Sequence, residues 1–295
     1  MKYLTSNEIS KIWQVSERSV RNYCAQGRVI GAYLTGKTWM IPETSKKPQR
    51  QTRHIKKERT LLEVLKEEKE AALKGGIYHK LQIEMTYNSN HMEGSKLTHD
   101  ETRYIYETKT IGKGRDLSID DIMETVNHFR CIDLVIDCAN YRLSEAFIKQ
   151  LHLILKTNTE DSKKAWFKVG DYKMLENLAG DKETTHPDKV KEEMHKLISS
   201  YNAKEKHTFE EIVDFHVKFE RIHPFQDGNG RVGRLIALKE CLKNNIVPFI
   251  ILDKYKSYYY NGLREWNHEK GYLLDTCLLG QDIIKSYLDY FKIKY

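Results

Sequence analysis

The run His223-Pro224-Phe225-Gln226-Asp227-Gly228-Asn229-Gly230-Arg231-Val232-Gly233-Arg234 places an imidazole, a carboxylate, two glycines around an amide and two guanidiniums within twelve residues. Upstream of it, Ile212, Phe215, Phe219 and Ile222 fall at helical spacing and predict a helix over Phe209 to Ile222. Pro224 disfavours helical geometry at the residue before it, so that helix should stop at His223 and leave the imidazole at a helix-to-loop junction. Gly228 and Gly230 permit positive φ, which lets successive backbone N–H groups converge into an anion-binding nest. A second helix is expected to begin near Arg231 and to run through Leu235, Ile236 and Leu238, with the partial positive charge of its N-terminus aimed at the same loop. Arg231 and Arg234, three apart, should project from its first turn towards phosphate oxygens, which guanidinium forks match in a bidentate way. Asp227 is the one acid among these donors and suits a Mg²⁺ that bridges phosphate oxygens. Phe225 counts with the binding segment, and its ring is expected to anchor the loop in the core. An Asp-Gly-Asn-Gly tetrapeptide alone is an ordinary turn. The complete order of elements is what discriminates.

The run resembles the Fic-domain signature, His-x-Phe-x-Asp/Glu-Gly-Asn-Gly-Arg-x-x-Arg, at every fixed position. The resemblance implies a mainly α protein with a helical Fic core and a β-hairpin flap. It implies an enzyme that transfers AMP from ATP to a hydroxyl on a protein Ser, Thr or Tyr. It makes His223 the general base and Asp227 the Mg²⁺ ligand. Asn229 and the amides of Gly228 and Gly230 would hold the α- and β-phosphates, Arg231 would join them, and Arg234 would take the γ-phosphate. Such chemistry rests on positioning and electrostatics, with a base that receives the proton of the attacking hydroxyl.

Ser89-Asn90-His91-Met92-Glu93-Gly94 resembles the inhibitory pattern Ser/Thr-x-x-x-Glu-Gly/Asn of the same family. Ser89 and Glu93 are four apart and share a helix face. Gly94 suits the residue just past a helix end. The resemblance implies that Glu93 pairs with Arg234 and occupies the place the γ-phosphate would take. The inhibitory helix is thus expected near residues 85–94. The flap is expected from Lys168-Val169-Gly170-Asp171-Tyr172-Lys173 through to Thr185-His186-Pro187. Lys173 stands where relatives commonly carry arginine, and no second proline follows at the far end. Tyr258-Tyr259-Tyr260-Asn261-Gly262-Leu263 resembles the segment that walls the nucleotide base, with Tyr260 and Asn261 as candidate contacts. At least one of these tyrosines is expected to pack instead.

Residues 1–43 read as a separate unit of helix, turn, helix and small hairpin. Thr5 and Glu8 form a capping box. Ile9, Ile12 and Trp13 make an apolar face, a turn falls near Gln14-Val15, and Ser16 caps a second helix that ends at Gly27. Ala32 to Ile41 alternates around Thr35-Gly36, a hairpin turn signal. The order resembles the winged helix-turn-helix of excisionase- and MerR-like DNA-binding domains; the alternative is a small helical protein-interaction domain. Arg18, Arg21 and Asn22 are the candidate DNA contacts. Residues 1–60 hold 13 Lys and Arg against 4 Asp and Glu, whereas the remainder holds 36 against 38. The whole-chain charge of +7 is therefore an N-terminal property, the electrostatic footprint expected for DNA. Residues 44–60 read as a basic linker, either solvated or touching phosphates.

The chain of 295 residues is expected to form two domains, the Fic domain covering 61–295. Five cysteines without metal-ligand spacing suit a reducing cytosol, and Cys131 and Cys138 read as core residues. No signal peptide is apparent, and the apolar run from Ile246 to Leu252, broken by Pro248, is too short to cross a membrane. Thr60 to Leu73, Ser118 to Ala139 and Ser144 to Lys156 read as amphipathic helices. The expectation is a cytoplasmic, bacterial protein adenylyltransferase with ATP as substrate, Mg²⁺ as cofactor, and a target protein, itself included, and DNA as partners. Two other functions stay open: a transcription regulator whose Fic domain senses nucleotide, and a Fic enzyme that transfers another group or removes AMP.

Overall fold

The computed structural model describes residues 2–49, 59–112, 116–179 and 182–295. It divides into two compact units, residues 1–57 and 58–295. Residues 50–58 of the expected basic linker lie outside the described residues.

The first unit runs β1 (Tyr3–Thr5), α1 (Ser6–Trp13), α2 (Glu17–Ala25), β2 (Tyr33–Thr35) and β3 (Thr38–Pro42). Thr5 and Glu8 cap each other's backbone at the start of α1, which satisfies two N–H groups the first turn would otherwise leave free. Gln14 ends α1 in the left-handed region, and Ser16 caps α2. The two helices bury Ile9, Trp13, Val20 and Cys24 against Val29 and Ile41. The strands form one antiparallel sheet in the order β1-β3-β2. Gly36 turns the β2–β3 hairpin at φ 58°, a conformation that favours glycine. The sequence does not announce β1: it shows a helix cap at Thr5, and only Ile41, fully buried opposite Leu4, reveals why the preceding residues pair.

The second unit is helical. It comprises α3 (Leu61–Glu70), α4 (Ile77–Met92), α5 (His99–Thr108), α6 (Ile119–Cys138), α7 (Glu145–Lys156), a short hairpin β4 (Leu178–Ala179) and β5 (Lys182–Glu183), α8 (Pro187–Tyr201), α9 (Phe209–Ile222), α10 (Asn229–Lys243), α11 (Lys256–Glu265) and α12 (Gly271–Tyr290). The three expected amphipathic helices are α3, α6 and α7, with Thr60, Ser118 and Ser144 as their N-caps. Cys131 is buried and Cys138 half-buried. Helix α10 is the axis of the unit and packs against α9, α6, α4 and α7. It is buried on every side, which is why its sequence lacks an apolar stripe. Its charges are buried in pairs, as with Lys239 and Glu240 at 2.7 Å, because a lone buried charge is costly. Among the described residues no helix is long and apolar enough to cross a membrane.

Candidate active site

Helix α9 stops at His223, which takes a left-handed conformation (φ 53°) and donates its N–H to Phe219 O at 3.0 Å. The imidazole is fixed from below: Nδ1 lies 3.2 Å from Glu220 O. A carbonyl only accepts, so Nδ1 carries the hydrogen and Nε2 keeps its lone pair. Burial holds the His223 pKa below its ordinary 6.5, against the bond to Glu220 O, which favours the charged form. A neutral imidazole with a free Nε2 is what a general base requires.

The loop after His223 is locked from within. Phe225 is fully buried and stacks on His152, ring centroids 4.0 Å apart. Phe225 N donates to Asn229 Oδ1 and Asn229 Nδ2 donates back to Phe225 O, both at 2.8 Å. The Asn229 amide thus closes the loop, and what it presents outward is backbone. Gly228 caps α10 at φ 82°, so the helix begins at Asn229, two residues earlier than expected. The first N–H groups of a helix have no intrahelical partner and favour an anion.

The arginines are arranged differently from the sequence expectation. Neither projects freely from a first turn; both are buried and paired with carboxylates. Arg231 meets Glu124 of α6 and donates to Asp227 Oδ2 at 3.1 Å. Arg234 donates Nη2 to Glu93 Oε1 at 2.7 Å and to Ser89 O at 3.0 Å, and Nε to Ser89 Oγ at 3.0 Å. Ser89 sits in the last turn of α4, Glu93 is its C-cap and Gly94 follows at φ 100°. A β-carbon at Gly230 would stand 2.3 Å from Glu93 Oε1, so the carboxylate rests directly on the first turn of α10. Glycine at 230 is what lets it approach.

Asp227 is held well below the usual carboxylate range. Burial opposes this, and the charges of Arg231 and Lys156 outweigh it. Its side chain is 48% exposed. Among the described residues no group of three or more His, Cys, Asp or Glu is placed to hold a metal alone. One deprotonated carboxylate is nonetheless what Mg²⁺ uses when substrate phosphates supply further ligands, so the residues fit that ion.

The remaining candidates are dispersed. Tyr260 is partly exposed, and Asn261 accepts from Arg264 on the same helix. Tyr259 is the tyrosine that packs: it is buried, with its hydroxyl 2.6 Å from His216 Nε2. Lys173 lies at the base of the hairpin, donating Nζ to Asn177 Oδ1 at 2.7 Å and Thr184 Oγ1 at 2.5 Å, while its N–H reaches Pro224 O at 2.9 Å. It therefore ties the hairpin to the His223 loop. In the first unit Arg18, Arg21 and Asn22 are all exposed on α2, and Arg21 pairs with Glu17 at 2.7 Å.

Sequence reading missed Glu124, Lys156, His216 and Glu220. Lys156 left a trace: it falls on the buried stripe of α7 with Ile148, Leu151, His152 and Leu155. Glu220 left none. Burial pushes its pKa from 4.5 up to about 8, with Glu93 acting in the same direction and Arg234 against. Between these values the folded protein keeps a proton that the unfolded chain has lost, so stability falls as pH rises from 4.5 through about 8. E220Q should therefore raise the thermal midpoint at about pH 9 by ~3 °C or more and leave it unchanged near pH 4.5. A scan of both proteins at the two pH values checks this; equal midpoints at high pH would show that Glu220 is ionised at no cost.

Residues 142–241 match the Fic/DOC family. The protein adenylyltransferase Fic of Nematostella vectensis is 26% identical over 192 residues, 62% of this chain and 42% of the relative. That of Drosophila grimshawi is 25% identical over 186 residues, 60% of this chain and 36% of the relative. The match thus spans about two fifths of the length of these curated relatives. A Fic domain containing signalling protein from Bacteroides thetaiotaomicron superposes with a TM-score of 0.59 at 25% identity, covering 78% of this chain and 90% of the other. Fic-1 from C. elegans shares the fold, with a TM-score of 0.58 at 18% identity over 78% of this chain and 72% of the other. The family match falls within the helical unit, and His223 to Arg234 lie inside it.

Proposed function

We propose that the chain is a protein adenylyltransferase that moves AMP from ATP to a Ser, Thr or Tyr hydroxyl, with Glu93 as an inhibitor in cis. The observation that carries this reading is the His223 loop: a neutral imidazole, a deprotonated Asp227 and the α10 N-terminus share one short segment. The acceptor oxygen forms a bond to the α-phosphorus. The bond from that phosphorus to the oxygen bridging to the β-phosphate breaks, and pyrophosphate leaves. The acceptor proton passes to Nε2 of His223, the nitrogen that carries no hydrogen. Gly228, Asn229 and Gly230 contribute backbone N–H groups to the phosphates, Arg231 neutralises the loop, and Arg234 takes the γ-phosphate once Glu93 has left it. Asp227 would hold Mg²⁺, which offsets phosphate charge when bound. Tyr260 and Asn261 would contact the nucleotide base, and the β4–β5 hairpin would receive the target segment. Five free cysteines among the described residues accord with a reducing cytosol.

Labelling with ATP tagged at the α-phosphate, followed by mass spectrometry, tests the activity. AMP on a hydroxyl of the chain or of a second protein is the expected product. ATP bound with no covalent label would favour a nucleotide sensor, and loss of AMP from a modified protein would favour the reverse reaction.

The first unit is proposed to bind duplex DNA. Exposed Arg18, Arg21 and Asn22 on α2 and the basic excess of residues 1–60 support it. A fragment of residues 1–60 should bind in fluorescence anisotropy, and its affinity should drop ~10-fold or more between about 50 and 200 mM salt through counterion release. Residues 61–295 should not bind. Equal binding by the two fragments sinks the assignment.

A further inference from the structure

Lys156 ends α7 with a side chain only 2% exposed. Its ammonium donates to Glu124 Oε1 at 2.6 Å, to Asp227 Oδ2 at 2.8 Å and to Asp161 Oδ2 at 3.1 Å. An ammonium has three donors, and all are used. Arg231 closes a ring by meeting both Glu124 and Asp227. Asp227 Oδ2 thus carries two cationic partners of its own. Asp227 is also the outermost of the three carboxylates, 48% exposed against 15% for Glu124 and 29% for Asp161. Here the cluster ends on the carboxylate that opens onto the His223 loop.

We propose that Lys156 is a positioning residue that acts as a built-in counter-cation for Asp227, holding the carboxylate in place for a divalent metal while keeping it from binding that metal tightly until nucleotide phosphates arrive. The inference rests on the proposed role of Asp227 as the metal-facing carboxylate. A carboxylate flanked by two cations is a poor lone ligand for a dication, because like charges a few ångströms apart repel strongly where water is scarce. A triphosphate reverses the balance: it brings several negative charges to the same cations and further oxygen ligands to the metal. Metal and nucleotide therefore enter together. Glu124 serves the arrangement by offsetting the two cations, so that the ring is stable while the site is empty of nucleotide.

The test is Mn²⁺ binding to the full-length, nucleotide-free protein, titrated by the loss of the free-ion electron paramagnetic resonance signal. Wild type and D227N should bind equally weakly, because Asp227 takes no metal alone. If D227N weakens Mn²⁺ binding by ~10-fold or more, a loss of about 1.4 kcal/mol, the proposal is overturned without any change at Lys156. K156Q keeps a side-chain donor and loses the charge. It should bind nucleotide-free Mn²⁺ ~10–100-fold more tightly than wild type, because one unit of like charge a few ångströms from the dication is gone. Adding D227N to it should remove the gain, and K156R should restore the wild-type value. A folded K156Q that binds no more tightly than wild type would make Lys156 a structural ion partner only. The readout is metal binding and not transfer. Its failure leaves the transferase reading standing, and absence of AMP transfer leaves the metal result as it is.

Discussion

E93G is expected to label itself and its target more strongly than the wild type. Arg234 has one guanidinium, and its Nη2 is committed to Glu93 Oε1 at 2.7 Å. The γ-phosphate of a productively bound triphosphate would need the same fork. The Glu93 carboxylate also rests on Gly230, over the amides meant for the other phosphates. Removing it frees both donors at once. Hydrogen bonds to charged groups contribute roughly 1.5–3 kcal/mol, so a rise of ~10–100-fold in labelling is expected. Glycine at 93 should be tolerated, because the position is a helix C-cap rather than a helix interior. R234A should not mimic the gain, since on the proposed reading it would remove the phosphate ligand together with the partner of Glu93. The double variant E93G/R234A should be weak. If E93G labels at the wild-type level across a range of ATP and Mg²⁺ concentrations, the Ser89-to-Gly94 segment is an ordinary helix end.

H223A should lose AMP transfer by ~10²–10⁴-fold, the usual contribution of a positioned base, while keeping ATP binding. The two effects should separate because, on the proposed reading, His223 would meet the acceptor proton, whereas backbone amides of α10 and the arginines would meet the nucleotide. The hydrogen on Nδ1 points at Glu220 O, so only Nε2 can receive the proton. Burial lowers the pKa below 6.5, and the imidazole protonates only under more acidic conditions. The acidic limb of the rate profile should therefore lie below pH 6.5 in the wild type. Single-turnover labelling with tagged ATP, alongside equilibrium binding of the nucleotide, measures both. A folded H223A that transfers at the wild-type rate removes His223 from the role of base.

Some of this arrangement follows from local covalent constraint and is therefore legible in the residues alone. Pro224 ends α9 at His223, and Gly228 starts the turn into α10, although α10 begins at Asn229 and not Arg231. The capping pairs Thr5 with Glu8 and Thr60 with Glu63 mark helix starts because both partners lie within one turn. The amphipathic stripe of α7 announces a helix with one buried face, whereas α6 packs against α7, α4 and α10 together. The pairing of Glu93 with Arg234 spans 141 positions and could be anticipated only through resemblance. What tertiary structure alone decides is which charges face one another across helices. Arg231 points to Glu124, and Lys156 points to Asp227, over separations of 107 and 71 positions. No periodicity encodes those contacts. They arise because α6 and α7 pack on α10 and leave its buried guanidinium and their own ammonium no water, so each charge must find its partner inside the protein.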